Sequence, residues 1–441
     1  MSSLIEESKN GAESTFLALH KQFLDTGQPS SDLLSFNKKA LDRFERLKFP
    51  HRKHEMYTFV NTKDLTDKPF SLKTESAVQK SFIEQHIYAG CERSHLTFVD
   101  GVLHPELSDA TALGTSVKIG SLVEAVKDES FKSILQETIE QENDVFASIN
   151  SAFMKQGVMV RVGRDKQIEV PLQILNVSSS GDSGPVMTVP RSYIHLEPLS
   201  ELKLIVKYVG NGGNYFVNSV QDMIIEDNAT LTHIQVEADS TDAWHFSKNR
   251  VRLKRDSKYV GYQTTNGARL VRNHNEVWLS EPGAEMELNG VSVLEEDEQS
   301  HQLIRVHHEV ENCTSRQYFK NIINDRARAS FDGTVVVNKG AQLTNSDQLI
   351  NNLMLSDEGH ADCKPNLMIF ADDVKCAHGA TVGQLDESQL FYLKTRGLSE
   401  SVAKEVLTQS FARSIVQKIP FEPVVKELDQ TLLKKLKANN E

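Results

Sequence analysis

The chain lacks both a membrane-length apolar run and an excess of basic residues. Crossing a bilayer takes about 20 consecutive apolar residues, and no hydrophobic stretch of this sequence approaches that length. The 49 Lys and Arg residues are outnumbered by 61 Asp and Glu, which gives a formal net charge of -12. Because binding to a phosphate backbone requires a basic surface, we expect neither a nucleic-acid partner nor a membrane partner.

Cysteine is also scarce. The four cysteines, Cys91, Cys313, Cys363 and Cys376, include no Cys-x-x-Cys pair, which excludes a zinc knuckle and a thioredoxin-type redox pair. The first ten residues lack the basic-then-apolar order of a signal peptide. We therefore expect a cytoplasmic protein, in which disulfides are rare and a cysteine is by default a small buried hydrophobic residue.

Motifs for nucleotide hydrolysis and nucleophilic catalysis are missing as well. The sequence has no Gly-x-Ser-x-Gly elbow, no His-Glu-x-x-His, no phosphate-binding Gly-x-x-x-x-Gly-Lys loop and no Gly-x-Gly-x-x-Gly fingerprint. We therefore expect that the chain does not hydrolyse ATP and is not an enzyme.

Both ends of the chain have the periodicity of helices. Residues 13–47 and 116–155 carry apolar residues at helical spacing. Near the other end, Gly397 is a candidate C-cap and Ser399 a candidate N-cap. Two apolar stripes with a spacing of four follow, at Ala403, Leu407, Phe411 and Ile415 and at Leu428, Leu432 and Leu436. Either these stripes pack on the chain's own core or they form a docking surface.

Between the helical ends, from Val158 to about Thr381, the sequence contains short strands and turn signals with no intervening helix. We therefore expect a mostly helical domain at residues 1–155, a β core at 156–385 and a helical domain at 386–441. A turn of small residues followed by alternating side chains recurs, as in a solenoid. Instances are Asn228-Ala229, Gly267-Ala268, Gly283-Ala284, Gly340-Ala341 and Gly379-Ala380.

The fold class is therefore mainly β, and a parallel β-helix fits this repeat better than a closed barrel does. A β-sandwich remains an alternative on pattern alone. Four asparagines are expected near the turns, where Asn tolerates left-handed backbone. They are Asn218, Asn266, Asn289 and Asn338.

The densest group of candidate ligands is Asp372, Asp373, Cys376 and His378. On a strand, a spacing of two places Cys376 and His378 on the same face, and sulfur with imidazole is a plausible half of a metal site. Two ligands cannot complete a tetrahedral zinc site or a cluster held by about four thiolates. The others must come from another chain, unless the site is open and transient. In the alternative interpretation, the two aspartates form a turn, Cys376 packs inward and His378 caps the next glycine.

Two other groups of residues are weaker candidates. His307 and His308 are adjacent on a predicted strand and point to opposite faces, so they and nearby His301 are interpreted as surface or packing residues. A basic and aromatic segment, His51-Arg52-Lys53-His54 with Tyr57 and Phe59, could bind an anion. A loop packed on a domain surface is the favoured interpretation.

Several of these segments resemble the SufB/SufD family of the SUF iron–sulfur assembly system. The most specific block is Ala371-Asp372-Asp373-Val374-Lys375-Cys376-Ala377-His378-Gly379-Ala380-Thr381-Val382-Gly383, followed by Leu390-Phe391-Tyr392-Leu393 and Arg396-Gly397. Phe331-Asp332-Gly333, Lys364-Pro365, Arg52-Lys53-His54-Glu55 and Phe98-Val99-Asp100-Gly101 also follow the family pattern. SufB has His-Glu-Ala-Thr where this chain has His378-Gly379-Ala380-Thr381, so the SufD branch is favoured. Tyr57 and Phe59 keep the family's aromatic spacing but not its Trp.

The resemblance implies a right-handed parallel β-helix core flanked by N- and C-terminal helical domains. It implies a heterodimer with SufB and two copies of the SufC ATPase, bound through the C-terminal helices; alone, the chain could form a homodimer. His378 and Cys376 would be iron ligands of a nascent cluster shared with SufB, and no tightly bound cofactor is expected in the isolated chain. The function implied is that of a non-ATPase scaffold subunit that supports cluster assembly and iron acquisition.

A second hypothesis does not depend on that resemblance. A parallel β-helix is also a scaffold for enzymes that act on polysaccharides. Such an enzyme would need acidic and basic residues converging on one face of the solenoid.

Overall fold

A computed structural model describes residues 2–26, 30–50, 54–72, 78–179 and 185–438. Helices occur at both ends of this part of the chain. The N-terminal ones are α1 (Ser2–Thr26), α2 (Ser31–Leu47), α3 (Lys63–Thr66), α4 (Lys80–His86), α5 (Leu122–Ala125), α6 (Glu129–Glu140) and α7 (Val145–Ala152). The C-terminal ones are α8 (Glu387–Thr395), α9 (Glu400–Val416) and α10 (Glu422–Ala438). None of the described helices is long and apolar enough to cross a membrane.

The strands run almost without interruption between these two groups of helices. They are β1 (His95–Val99), β2 (Val102–Leu103), β3 (Val117–Ser121), β4 (Val158–Val162), β5 (Leu172–Ser179), β6 (Val186–Thr188), β7 (Arg191–Leu196), β8 (Glu201–Asn211), β9 (Tyr215–Ile225), β10 (Thr230–Ala238), β11 (Trp244–Leu253), β12 (Lys258–Thr265), β13 (Leu270–Leu279), β14 (Glu285–Leu294), β15 (Gln299–His308), β16 (Thr314–Ile323), β17 (Arg328–Val337), β18 (Thr344–Met354), β19 (His360–Ile369) and β20 (Val374–Gly383).

From β8 onward, successive strands alternate between two ten-stranded sheets. Sheet A has the order β19-β17-β15-β13-β11-β9-β7-β4-β3, with β6 beside β9. Sheet B has the order β2-β1-β5-β8-β10-β12-β14-β16-β18-β20. Neighbouring strands are parallel except in the β1–β2 and β3–β4 pairs. Each coil therefore adds one strand to each sheet, which confirms the predicted parallel β-helix and excludes the β-sandwich.

The solenoid interior is formed by every second residue of each strand. In β18 the inner-face residues are Thr344, Ser346, Gln348, Ile350 and Asn352, all buried. Apolar inner residues of both sheets join one core that runs along the solenoid axis. Since side chains alternate across a strand, this parity fixes which residues of the later strands face the interior.

The turn prediction is partly wrong. Ala229, Ala268, Ala284 and Ala341 are fully buried at turns that precede strands, as the repeat predicts. Asn266 and Asn338 lie at turns directly after β12 and β17, as expected, whereas Asn218 and Asn289 lie inside β9 and β14. None of the four has a positive φ angle. Left-handed turn positions belong instead to residues such as Asn228, Asn312 and Asp256, whose short polar side chains tolerate this backbone. Sequence spacing did not distinguish these turn residues from buried strand residues.

The N-terminal helices cover the outer face of sheet A. Phe36 and Phe44 of α2 and Phe146 of α7 join a cluster with Phe216 and Phe246 of the sheet. The predicted helix at 116–155 is wrong in two respects: residues 117–121 form β3, and α6 and α7 are separate helices. β3 pairs with β4 at the edge of sheet A, a long-range contact that helical periodicity does not reveal.

Asp144 begins α7 and anchors it to the sheet. Its side chain accepts a hydrogen bond from the Phe146 N–H at the helix start. It also accepts from Arg272 at 2.7 Å, His274 at 2.8 Å and the Tyr57 hydroxyl at 2.7 Å. The carboxylate therefore joins helix, sheet and the segment after Pro50.

The C-terminal helices α9 and α10 pack on the outer face of sheet B. The stripe Leu428, Leu432 and Leu436 is buried there, together with Ile415 of α9. Ser399 caps α9 by accepting a hydrogen bond from the Val402 N–H, as predicted. Of the two interpretations of the stripes, packing on the chain's own core is therefore correct for α10 and for the second half of α9.

Candidate functional site

β19 and β20 form an open end of the solenoid. In the described part of the chain, β20 pairs with β18 alone and β19 with β17 alone. Each strand therefore keeps one edge of backbone N–H and C=O groups without a strand partner. Such an edge can pair with or be covered by another chain.

Cys376 and His378 lie on the inner face of β20. Cys376 is the register partner of Ser346, and His378 is the register partner of Gln348. Because both partners are buried inner-face residues, Cys376 and His378 also face the interior of the last coil. Cys376 is half-buried against the core, whereas His378 is exposed at the open end.

The Cys376 thiol is held in its neutral form. Burial raises its pKa above the ordinary cysteine value, and a backbone hydrogen bond from Ser346 acts in the opposite direction. A metal binds the thiolate, so binding here would have to displace a proton.

Sequence reasoning assigned no role to Cys363, which the structure places on the inner face of β19. Its register partner is Phe331, a core residue. The Asn352 side-chain amide donates to the Cys363 sulfur at 3.3 Å and to the Thr381 carbonyl at 3.0 Å. Asn352 thus links the two terminal strands. No sequence signal identified this arrangement, because it depends on the register between strands of opposite sheets.

The described residues do not form a complete metal site. Within the ranges given above, no group of three or more His, Cys, Asp and Glu side chains is placed to hold a metal ion. Asp372 and Asp373 lie in the exposed turn between β19 and β20, and the Asp373 N–H donates to Gln342 at 2.9 Å. The positions of the two aspartates and of Cys376 are those of the alternative interpretation, and the assignment of Cys376 and His378 as ligands stays a prediction.

The glycine after His378 does not begin a turn, which corrects the repeat at Gly379-Ala380. Both residues lie inside β20, which continues to Gly383. Asp386 then caps α8 by accepting hydrogen bonds from Ser388 and Gln389. Only residues 384–386 separate the strand that carries Cys376 and His378 from the C-terminal helices.

Two exposed apolar surfaces flank this strand. The end patch consists of Met368, Ile369 and Phe370 at the end of β19. The helix patch consists of Phe391 and Tyr392 of α8 and Val402 and Val406 of α9; Phe391 is 70% exposed. Apolar surface that is grouped in this way is typical of sites for protein partners.

Comparisons with known proteins agree with this architecture. Residues 177–411 match the family model described as "SUF system FeS cluster assembly, SufBD core domain". Residues 11–174 match the model described as "SufBD protein N-terminal region". The chain belongs to the SufBD family.

SufBD relatives match most of the chain. An iron–sulfur cluster assembly SufBD family protein of Synechocystis is 28% identical over 94% of this chain and 93% of its own length. The iron–sulfur cluster assembly protein SufD of Escherichia coli is 27% identical, covering 86% of this chain and 87% of its own length. The Arabidopsis thaliana protein ABCI7, chloroplastic, is 32% identical over 63% of this chain and 60% of its own length. None of these matches supports the polysaccharide hypothesis.

Some residues of the SufBD pattern have structural roles. Phe331 packs against Phe319 in the solenoid interior, with ring centroids 5.2 Å apart. Asp332 binds Arg305 at 2.9 Å and Lys364 at 3.3 Å. The Phe-Asp-Gly and Lys-Pro segments therefore stabilise the last coils that present Cys376 and His378.

The weaker candidates are also resolved. His301 and His308 are buried, and His307 stacks on Trp278, so the packing interpretation of these histidines is correct. His51, Arg52 and Lys53 lie outside the described residues. From the same segment, Tyr57 is buried against Phe146, in agreement with a packed loop. Cys91 and Cys313 are buried, as expected for structural cysteines.

Proposed function

We propose that this chain is the SufD-type, non-ATPase scaffold subunit of a cytoplasmic SufB–SufC–SufD complex that assembles nascent iron–sulfur clusters and supports iron acquisition. One observation carries the proposal: Cys376 and His378 share the inner face of the last strand at an open solenoid end. Because the family is described as SUF system FeS cluster assembly, we assign an iron–sulfur cluster as what these two residues would bind.

The cluster is the cargo of this site. Thiolate and imidazole are ligands that iron accepts in clusters, and His378 projects where the solenoid interior ends. The remaining ligands would come from SufB, whose surface would cover the end patch. Closing both strand edges in this way would exclude water from the cluster.

SufC would bind the helix patch. The first half of α9 keeps Val402 and Val406 exposed, whereas its second half is buried on sheet B. Because residues 384–386 connect β20 to α8, a movement of α8 driven by ATP use in SufC would be transmitted directly to the ligand-bearing strand. This short connection gives ATP use a route to opening or closing the shared site.

Co-expression with candidate SufB and SufC chains tests this function. The complex should purify intact under anaerobic conditions and contain iron and sulfide. The chain purified alone, as the matched control, should hold far less of both. Failure to bind either partner would contradict the proposal.

A further inference from the structure

A cavity of about 180 Å³ lies far from the open end, between α6 and the outer face of sheet A. Its walls combine aromatic and apolar side chains, among them Tyr193, Ile224 and Trp278, with a row of charged residues. Neither the candidate cluster site nor the two apolar patches use it. A cavity with an apolar wall and a few fixed polar groups is the usual form of a small-molecule site.

The charged residues of the wall are mostly paired with each other. Asp222 binds Arg191 at 2.6 Å and Arg250 at 2.5 Å. Glu142 pairs with Arg250 and with Lys248, and Lys248 also binds Glu276 at 3.0 Å. These contacts satisfy every carboxylate of the cavity wall.

Arg252 is the exception among the cations. Within the described residues it forms no ion pair, and its guanidinium lies over the Trp278 ring, 5.0 Å from the centroid. Trp278 in turn stacks on His307 at 5.4 Å, so the three planar groups form one stack. Stacking uses the flat face of a guanidinium and leaves its N–H edge free for a bidentate acceptor.

Tyr193 provides a second free donor. It is 5% exposed and lines the cavity, yet its hydroxyl has no hydrogen-bond partner in the part of the chain that the structure describes. Burial and the nearby Asp222 raise the pKa of this hydroxyl, so it stays protonated and can donate. The hydroxyl oxygen reaches the cavity space and is not sealed in the core, so water or a ligand there can accept from it.

The unpaired guanidinium of Arg252 favours an anion. The charged residues of the cavity lining are equal in number, since Lys248, Arg250 and Arg252 are matched by Glu142, Asp222 and Glu276. The three carboxylates already bind Lys248, Arg250 and the buried Arg191. Arg252 is therefore the cation of the lining that is left for a ligand.

We propose that this cavity binds a small organic anion, a carboxylate or a phosphate ester with a compact apolar body, through Arg252 and Tyr193. The anionic oxygens would accept from the guanidinium edge and from the hydroxyl. The apolar body would contact Ile224 and the edge of Trp278.

Titration calorimetry on the full chain with benzoate, phenyl phosphate and inorganic phosphate tests this site. Benzoate or phenyl phosphate should bind, and the stronger of the two shows whether the acceptor is a carboxylate or a phosphate. Inorganic phosphate should bind at least about tenfold more weakly, because it cannot use the apolar wall. Equal binding of inorganic phosphate would contradict the apolar part of the proposal, and no binding of any probe would overturn it.

Variants locate the binding. Arg252→Gln should weaken ligand binding about tenfold or more. Arg252→Lys keeps the charge but loses the two parallel N–H donors of the guanidinium, and it should weaken binding less. Arg255→Gln removes an equal charge from an exposed loop nearby and should bind as the wild type does. Ligand-induced change in tryptophan fluorescence should disappear in Trp278→Phe, since the chain has only one other tryptophan, Trp244. Equal affinity of the Arg252→Gln and Arg255→Gln variants would overturn the assignment.

Discussion

Gln348 and His378 are register partners on the inner face of sheet B, yet Gln348 is 2% exposed and His378 is open to solvent. The difference has one cause: β18 is covered by the next coil, and β20 is not. The face that fills the solenoid interior in every earlier coil thus becomes a binding surface at its end. In the proposed complex, a second protein takes the place of the missing coil.

The position of the end patch predicts where SufB binds this chain. Phe370→Asp puts a charge in the middle of the exposed apolar side chains at the end of β19, where a partner would desolvate it. We expect the variant to fold normally and to lose co-purification with SufB. Leu199→Asp changes a similarly exposed leucine in a turn preceding β8 and should leave co-purification unchanged. Retention of SufB by Phe370→Asp would place the interface elsewhere.

The helix patch predicts a separate loss of SufC. Phe391→Asp and Lys404→Glu change α8 and the exposed first half of α9 without touching the buried second half. Both variants should release SufC in a pull-down while keeping SufB. Lys426→Glu on the exposed side of α10 is the matched charge reversal. If it releases SufC as strongly as Lys404→Glu does, the docking surface is α10.

Asp144 predicts a large stability effect far from both patches. Asp144→Ala would leave Arg272 buried without its carboxylate and would remove the cap of α7. Loss of one partner of a buried ion pair costs about 3–5 kcal/mol, so the free energy of unfolding in urea should fall by this amount. Glu129→Ala breaks only an exposed pair with Lys132 and should cost less than about 1 kcal/mol. An equally small loss for Asp144→Ala would show that the contacts of the Asp144 carboxylate do not stabilise the fold.

Buried histidines predict sensitivity to acid. Burial lowers the pKa of His233 to about 4, whereas the unfolded chain takes up that proton near the ordinary value of 6.5. The unfolded state therefore gains stability relative to the folded state as the pH falls from 6.5 towards 4. For one such group the loss between about pH 7.5 and about pH 5 is about 2 kcal/mol.

His233→Asn should remove this share of the acid sensitivity. Denaturant titrations at the two pH values should show a smaller loss for the variant than for the wild type. His274 and His308 contribute with the same sign, and His245, whose pKa Asp239 raises, contributes with the opposite sign. The exposed His360→Asn variant is the control. An unchanged pH dependence in His233→Asn would show that this ring is protonated in the folded state.

The alternation of side chains and the small-residue turns were enough to predict a parallel β-helix with helical ends. The spacing of Cys376 and His378 was enough to place them on one face of a strand; that this face belongs to a site shared with another chain stays a prediction. Local sequence carries these features because period and turn chemistry act within a few residues.

Features that depend on distant contacts were not predicted. β3 was taken for a helix because its pairing with β4 spans residues 117–162. Asn218 and Asn289 were taken for turn residues, although both lie inside strands, where Asn218 donates to the Phe146 carbonyl of α7 and Asn289 donates to Glu287. The inner position of Cys363 and the free edge of Arg252 follow from strand register and stacking, which no single segment encodes.

The most direct test of the scaffold function is the iron and sulfide content of the co-expressed complex carrying His378→Ala. His360→Ala is the matched control, because His360 is an exposed histidine on β19 whose side chain points away from the solenoid interior. We predict that both variants assemble with SufB and SufC, and that only His378→Ala loses most of its iron and sulfide. Wild-type cluster content in the His378→Ala complex would contradict the role assigned to the open end of the solenoid.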